Sequence, residues 1–398
     1  MSKKLNTANS LQGITRILAD ATVGVSDIVE NMHKRVVHPP FLPSTPIQHL
    51  ISNIASFTYQ NIRRGSKVVG KGVEKSLEIL SPYLGKIERT SGRDRIRSVL
   101  NGVVGDYLVK TNNPLHITMQ LRYDGKSIDI ERENIQNVYP NANGKILLMI
   151  HGSCLNDHQW TRKEHNHGKE IAHTLDKTPI YLLYNSGQHI STNGKDLNEL
   201  IEKLMSQWPV PVEEIVIIAH SMGGLVTRSA IYYSQLQQKQ WTKSLKKVIF
   251  LGTPHHGAPL EKIGNYIDSI FEFIPYTKPL APLGKIRSAG VTDLRYGHVT
   301  DQDWQGKDRF KLRGDRRAQI SLPDDIEFYA IAGSKSKNKS KRILGDKMVT
   351  VQSALGIHVD PTKHLHFKSE NTWIAFENTH SDLLSSPEVY TKIKSWLG

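Results

Sequence analysis

Residues 215–225 read Ile-Val-Ile-Ile-Ala-His-Ser-Met-Gly-Gly-Leu. Ile215, Val216, Ile217 and Ile218 form the unbroken β-branched run that a fully buried strand requires. The run stops at Ala219-His220-Ser221-Met222-Gly223, and Leu225 to Tyr233 then reads as a helix. Strand, sharp turn and helix follow one another with Ser221 at the apex. Ala219 and Gly223 stand two residues to either side of it, where bulkier side chains would collide in so tight a turn. A serine held in strained backbone at such a turn is lifted out of the packed layer and presents its Oγ as a nucleophile. The plainer alternative is a Ser-Gly turn between any strand and helix, and the surrounding chain decides between them.

The same strand type recurs at Lys145–Ile150, Pro179–Leu183, Glu214–Ala219, Lys247–Leu251 and Ile326–Ala332. Helical stretches such as Asn198–Gln207 and Leu225–Gln237 lie between them, and Pro387–Leu397 reads as the last helix. Ahead of these, Leu115, Ile117, Met119, Leu121 and Tyr123 occupy alternate positions. Asp124-Gly125 then predicts a two-residue hairpin turn, with Ser127–Ile130 as the returning strand. An antiparallel start followed by alternating strand and helix predicts an α/β fold, a mostly parallel sheet flanked by helices. Ser334–Lys341, rich in Ser and Lys, reads as a loop.

The N-terminal part has a different period. Leu11, Ile14, Leu18, Ala21, Val25, Ile28 and Met32 recur at helical spacing until Pro39, Pro40 and Pro43 interrupt them. A second set runs Ile47, Leu50, Ile51, Ile54, Phe57 and Ile62, and a weaker third Val69, Val73, Leu77 and Leu80. The chain of 398 residues thus divides into a basic helical region, 1–112, and an α/β domain, 113–398. The first 100 residues carry 15 Lys/Arg against 7 Asp/Glu, a large part of the net charge of +14. One reading is a solvated basic surface on helices packed against the rest. The other is a platform on an anionic membrane, aided by Arg63, Arg64, Lys67, Lys71 and Lys75. No RNP run, zinc-knuckle spacing or basic zipper accompanies the charge, so nucleic acid is not the expected partner.

No apolar run approaches the ~18 residues that span a bilayer. Met-Ser-Lys-Lys is followed by no apolar stretch of the signal-peptide kind. The single cysteine, Cys154, excludes an intrachain disulfide. These features predict a cytoplasmic protein, with membrane-surface association as the alternative.

A serine hydroxyl needs a base within hydrogen-bond reach and an acid that orients the base. The serine turn resembles that of α/β-hydrolases, and the resemblance implies that acid and base follow it in the chain, acid first and histidine last. Asp346, in Gly345-Asp346-Lys347-Met348-Val349, follows the strand ending near Ala332 and is the candidate acid. Asp315, Asp324, Asp325 and Asp360 are its rivals. His380 precedes the last helix and is the candidate base, ahead of His358, His364 and His366. An oxyanion hole needs two backbone N–H groups. Met222, directly after the serine, supplies one; Ser153, in the His151-Gly152-Ser153-Cys154 loop after Lys145–Ile150, supplies the other. Cys154 reads as a packed small side chain. His255 and His256 are adjacent on an extended segment and point opposite ways, which makes a poor chelating pair. Neither metal nor cofactor is expected.

On His151-Gly152, Ala219-His220-Ser221-Met222-Gly223-Gly224, Leu251-Gly252-Thr253-Pro254-His255-His256-Gly257, Gly345-Asp346 and the His380 loop, the chain resembles the α/β-hydrolase superfamily. More narrowly it resembles bacterial lipases and esterases akin to GPI inositol-deacylases; alanine ahead of the serine turn is also familiar from small Bacillus lipases. The resemblance implies an α/β-hydrolase fold, a Ser221–Asp346–His380 triad and an acyl-ester substrate, possible lipid esters among them. An acyltransferase or amidase using the same triad, and a membrane-associated scaffold on a hydrolase fold, are the alternatives. Residues 258–325 interrupt the strand–helix alternation. Ile263, Ile267, Ile270, Phe271 and Ile274 there make an apolar helical face suited to a lid, or to a helix packed permanently on the sheet.

Overall fold

Apolar runs without alternation suit strands covered on both faces. Each of those runs is a strand in the computed structural model, which describes residues 90–258, 287–309, 314–337 and 345–398. The strands are β1 (Gln120–Tyr123), β2 (Lys126–Ser127), β3 (Lys145–Ile150), β4 (Thr178–Leu183), β5 (Glu214–His220), β6 (Leu245–Leu251), β7 (Glu327–Ser334) and β8 (Thr372–Phe376). They form one eight-stranded sheet in the order β8-β7-β6-β5-β3-β4-β1-β2. The strands from β3 to β8 pair in parallel, and β1 runs antiparallel to β4 and to β2. β5 lies between β3 and β6, with Ala219 beside Ile150 and His220 beside Leu251. The serine turn therefore leaves the middle of the sheet at its C-terminal edge, where ligands gather in open α/β sheets.

The helices are α1 (Thr90–Lys110), α2 (Arg132–Val138), α3 (His167–Thr174), α4 (Ile190–Gln207), α5 (Met222–Gln237) and α6 (Pro387–Leu397). β3, β5 and β6 are buried almost throughout, between apolar faces of these helices. The helices expected within residues 1–89, their basic residues included, lie outside the described residues.

Residues 91–110 of α1 cluster with 116–398 in one unit, although the period of the sequence assigns them to the stretch 1–112. Their side chains explain this. Val99, Leu100, Val103, Val104 and Leu108 are buried. Asp94 takes a hydrogen bond of 2.7 Å from Arg122 of β1, whose other guanidinium nitrogen bonds Asp157 at 2.9 Å. Ser288 Oγ donates to Gly102 O at 2.7 Å.

The hairpin is shorter than the alternation at 115–123 predicts. Pairing covers only Arg122 with Ser127 and Tyr123 with Lys126. Asp124 and Gly125 both have positive φ, 46° and 75°, as a type I′ turn demands. Upstream, the Ile117 N–H donates to Asn101 Oδ1 of α1 at 2.8 Å, so a helix side chain takes the donor that a strand would use.

α4 and α5 approach closely because one residue has no side chain. A Cβ at Gly194 would stand 2.2 Å from Ser229 Oγ and 2.4 Å from Ser229 Cβ. Gly194→Val is expected to destabilise the fold by about 1–3 kcal/mol through overpacking, measured by urea unfolding. Adding Ser229→Gly should recover part of that loss; an unchanged midpoint in Gly194→Val would show that the helices can part freely.

Candidate active site

Ser221 connects β5 to α5 with φ 54° and ψ −125°. Such a conformation costs a non-glycine residue about 1–3 kcal/mol and persists only where its surroundings impose it. Two bonds do so here: Ser221 N–H donates to Leu251 O at 2.9 Å, and Gly224 N–H donates to Ser221 O at 3.0 Å. Small residues let the neighbours close in. A Cβ at Gly223 would lie 2.6 Å from His151 O and 2.7 Å from Ile150 O. One at Gly152 would lie 3.0 Å from Ser221 Cβ and 2.9 Å from His220 Nδ1. The loop after β3, which carries Ser153, thus abuts the serine turn. Met222 is the first residue of α5, where amide groups point out of the helix with no acceptor inside it. The two amide positions nominated for the oxyanion flank the same turn.

Asp346 and His380, 34 residues apart in sequence, meet. His380 Nδ1 donates to Asp346 Oδ2 at 2.6 Å, and the His380 N–H donates to Asp346 O at 3.2 Å. The other carboxylate oxygen accepts from the N–H groups of Met348 at 2.9 Å and Val349 at 2.8 Å. Two bonds thus fix acid and base relative to each other, two more hold the carboxylate on its own loop, and both side chains are buried. With the proton on Nδ1, Nε2 is the nitrogen that carries no hydrogen. A Cβ at Gly252 (φ 59°) would come within 3.1 Å of His380 Cε1 and Nδ1. Leu251 O holds Ser221 and its neighbour Gly252 underlies His380, so serine and histidine abut the same end of β6. Among the rival residues, Asp315 is engaged with Arg317, His358 and Lys363, and Asp360 caps the 361–363 turn.

The sequence reading missed a set of buried histidines around these residues. His151 stacks on Tyr184 at 4.4 Å between ring centroids and donates from Nδ1 to Gly152 O at 2.8 Å. His167 Nε2 donates to Leu383 O at 3.1 Å and takes a bond from His165 on Nδ1 at 2.6 Å. His220 donates from Nε2 to His380 O at 3.1 Å. Periodicity carries no signal for such contacts, because each joins residues distant in sequence. Burial disfavours the charged imidazole: it holds His151 and His167 at about 4 and His220 well below its ordinary value. Burial also pushes the Cys154 thiol up to about 12, so it stays protonated at neutral pH. His255 packs against Phe250 and Phe367, whereas His256 accepts from Arg317 at 2.6 Å.

Part of the expected lid is firmly attached. Asp293, buried, accepts from His189 Nδ1 at 3.0 Å and from the Ile190 N–H at 2.9 Å, at the start of α4. Ser229 Oγ donates to Val299 O at 2.6 Å, and Trp304 stacks on His189 at 3.7 Å. Residues 259–286, including the apolar face from Ile263 to Ile274, lie outside the described residues.

The buried histidines set a pH dependence. Their folded values lie below the ordinary 6.5, so the unfolded chain binds more protons in between. Stability present above 6.5 is therefore lost as pH falls towards about 4. The urea midpoint is expected to be lower at about pH 5 than at about pH 7; equal midpoints would mean these imidazoles titrate normally.

A sequence profile described as "PGAP1-like alpha/beta domain" matches residues 141–313. No curated protein matches the chain. Among solved structures, a mature lipase of Bacillus licheniformis aligns at 15% identity and TM-score 0.42, covering 64% of this chain and 91% of that one. An esterase of Pyrobaculum calidifontis aligns at 11% identity and TM-score 0.41, covering 75% and 91%. Esterase B of Lactobacillus rhamnosis aligns at 15% identity and TM-score 0.36, covering 71% and 81%. With the profile match spanning β3, β5 and the serine turn, on a mostly parallel sheet with that turn at its centre, the chain has an α/β-hydrolase fold.

Proposed function

We propose that the protein is a serine esterase that cleaves carboxylic esters, lipid esters among them, through an acyl-enzyme. The observation that carries this reading is the buried His380–Asp346 pair, bonded at 2.6 Å, set against the same strand end as a serine in strained backbone. In the proposed reaction, Ser221 Oγ attacks the ester carbonyl while His380 Nε2 takes its proton. The Met222 and Ser153 amides hold the negative oxygen of the tetrahedral intermediate. As the intermediate collapses, His380 passes the proton to the leaving alcohol and Ser221 keeps the acyl group. Water then attacks the acyl-enzyme, His380 takes its proton and returns it to Ser221 Oγ, and the acid is released. Asp346 stays ionised throughout, keeping Nδ1 protonated and stabilising the transient imidazolium.

No described helix is long and apolar enough to cross a membrane. The contact of residues 1–100 with an anionic membrane, and the gating of the site by residues within 258–325, belong to this proposal. They would deliver a hydrophobic acyl ester to Ser221.

The test is hydrolysis of p-nitrophenyl esters of increasing acyl length, with a fluorophosphonate probe to mark the nucleophile. Wild-type protein should hydrolyse the esters and be labelled at Ser221. Ser221→Ala should lose both, with kcat down by about four orders of magnitude or more. Asp346→Asn should lower kcat by a similar order through the wrong histidine tautomer. Undiminished hydrolysis by Ser221→Ala would refute the reading.

A further inference from the structure

His220 precedes Ser221 directly, and its ring lies between His380 and the loop after β3. Its centroid lies 4.6 Å from that of His380. Its Nε2 lies 3.1 Å from the His380 carbonyl oxygen. A carbonyl only accepts, so Nε2 carries the hydrogen. On the other side, a Cβ at Gly152 would stand 2.9 Å from His220 Nδ1, so the ring also lies against the loop that carries Ser153. The side chain is buried, and Nδ1 has no hydrogen-bond partner among the described residues. A buried polar atom left unpaired weakens a fold. An aliphatic side chain would fill the space without that cost, so the ring's one evident gain is the bond from Nε2.

We propose that His220 is a positioning residue: by bonding the backbone of His380, it fixes the base relative to the nucleophile that follows His220 in the chain. This rests on the reading of Ser221, His380 and Asp346 as a catalytic triad. The geometry gives His220 a specific task. Asp346 fixes His380 relative to the loop after β7. A contact reaching back to β5 fixes it relative to Ser221, and His220 is the last residue of β5. Its neutral state suits the task, since a second imidazolium beside His380 would oppose the positive charge that His380 acquires while holding the serine proton.

The experiment compares His220→Leu, which removes the donor, with His220→Gln, whose amide N–H₂ ends at a similar reach and can donate to the same carbonyl. Two readouts are taken on the full chain: steady-state kinetics on a p-nitrophenyl ester, and the strongly deshielded proton NMR signal of the short His380 Nδ1–H bond, assigned by its loss in His380→Ala. Expected for His220→Leu is a kcat lower by about 10- to 100-fold with KM changed less than about twofold, as for a displaced catalytic group, together with a broadened or missing signal. His220→Gln should recover most of kcat and the signal. A folded His220→Leu with wild-type kcat and signal overturns the proposal. Should His220→Leu fail to fold, His220→Gln decides: retention of kcat and signal supports the proposal, and loss of both in a folded protein overturns it. Wild-type protein that neither hydrolyses esters nor reacts with fluorophosphonate would refute the esterase reading, while the NMR comparison would still decide whether His220 orders His380.

Discussion

The site depends on how near the first turn of α5 can come to the end of β3. The carbonyls of Ile150 and His151 lie where a side chain at residue 223 would begin, and Ser221 Cβ lies where one at residue 152 would begin. Two absent side chains let two backbone segments meet. Once they meet, the first amide of α5 and the amides of the 151–153 loop flank one serine, and Ser221 has no room to relax from its positive φ. Hydrogen bonds then hold what sterics have shaped: Leu251 O holds the serine, and Asp346 holds His380. Interior packing at near-crystalline density makes such a contact all-or-none, because a gap of one methyl group cannot be absorbed locally.

Features with short-range causes were legible in the sequence. The run at 215–218 marks a strand because a strand buried on both faces must be apolar at every position. Asp124-Gly125 marks a hairpin because both central residues must take positive φ, and they do. Asp346 and His380 were named from chemistry and chain order alone. Features with long-range causes were not legible. β8 (Thr372–Phe376) lies at the edge of the sheet with only Ala375 buried, although Trp373-Ile374-Ala375-Phe376 is a continuous apolar run. The alternation from Leu115 onward suggests a longer strand, but Asn101 of α1 takes the Ile117 N–H. The association of α1 with the α/β unit rests on residues such as Arg122 and Ser288, which no local pattern links to it.

Histidine is unusually useful in this interior because one neutral ring can donate from one nitrogen and accept at the other. His167 does both, taking a bond from His165 while giving one to Leu383 O. His151 also does both, giving a bond to Gly152 O while the Tyr184 N–H lies 3.4 Å from its Nε2. N–H groups of His220 and His167 hold the carbonyls of His380 and Leu383, in the short segment that carries the base. Lysine or arginine would deliver a donor there only by burying a full charge, and leucine would deliver none. The same chemistry couples the integrity of this segment to acidity, since His167 keeps its bond from His165 only while neutral.

The bond from the Ala258 N–H to Leu294 O, at 2.9 Å, lies at the mouth of the interruption between the strands. Gly257 presses against Arg295 from the same side, and Ser288 is tied to α1. The chain therefore departs and returns through a closed gate. A side chain at residue 257 would begin 2.2 Å from Arg295 O, and φ there is 82°, so glycine shuts this gate as glycine shuts the serine turn. A substitution at Gly257 would thus force the gate apart from the framework side.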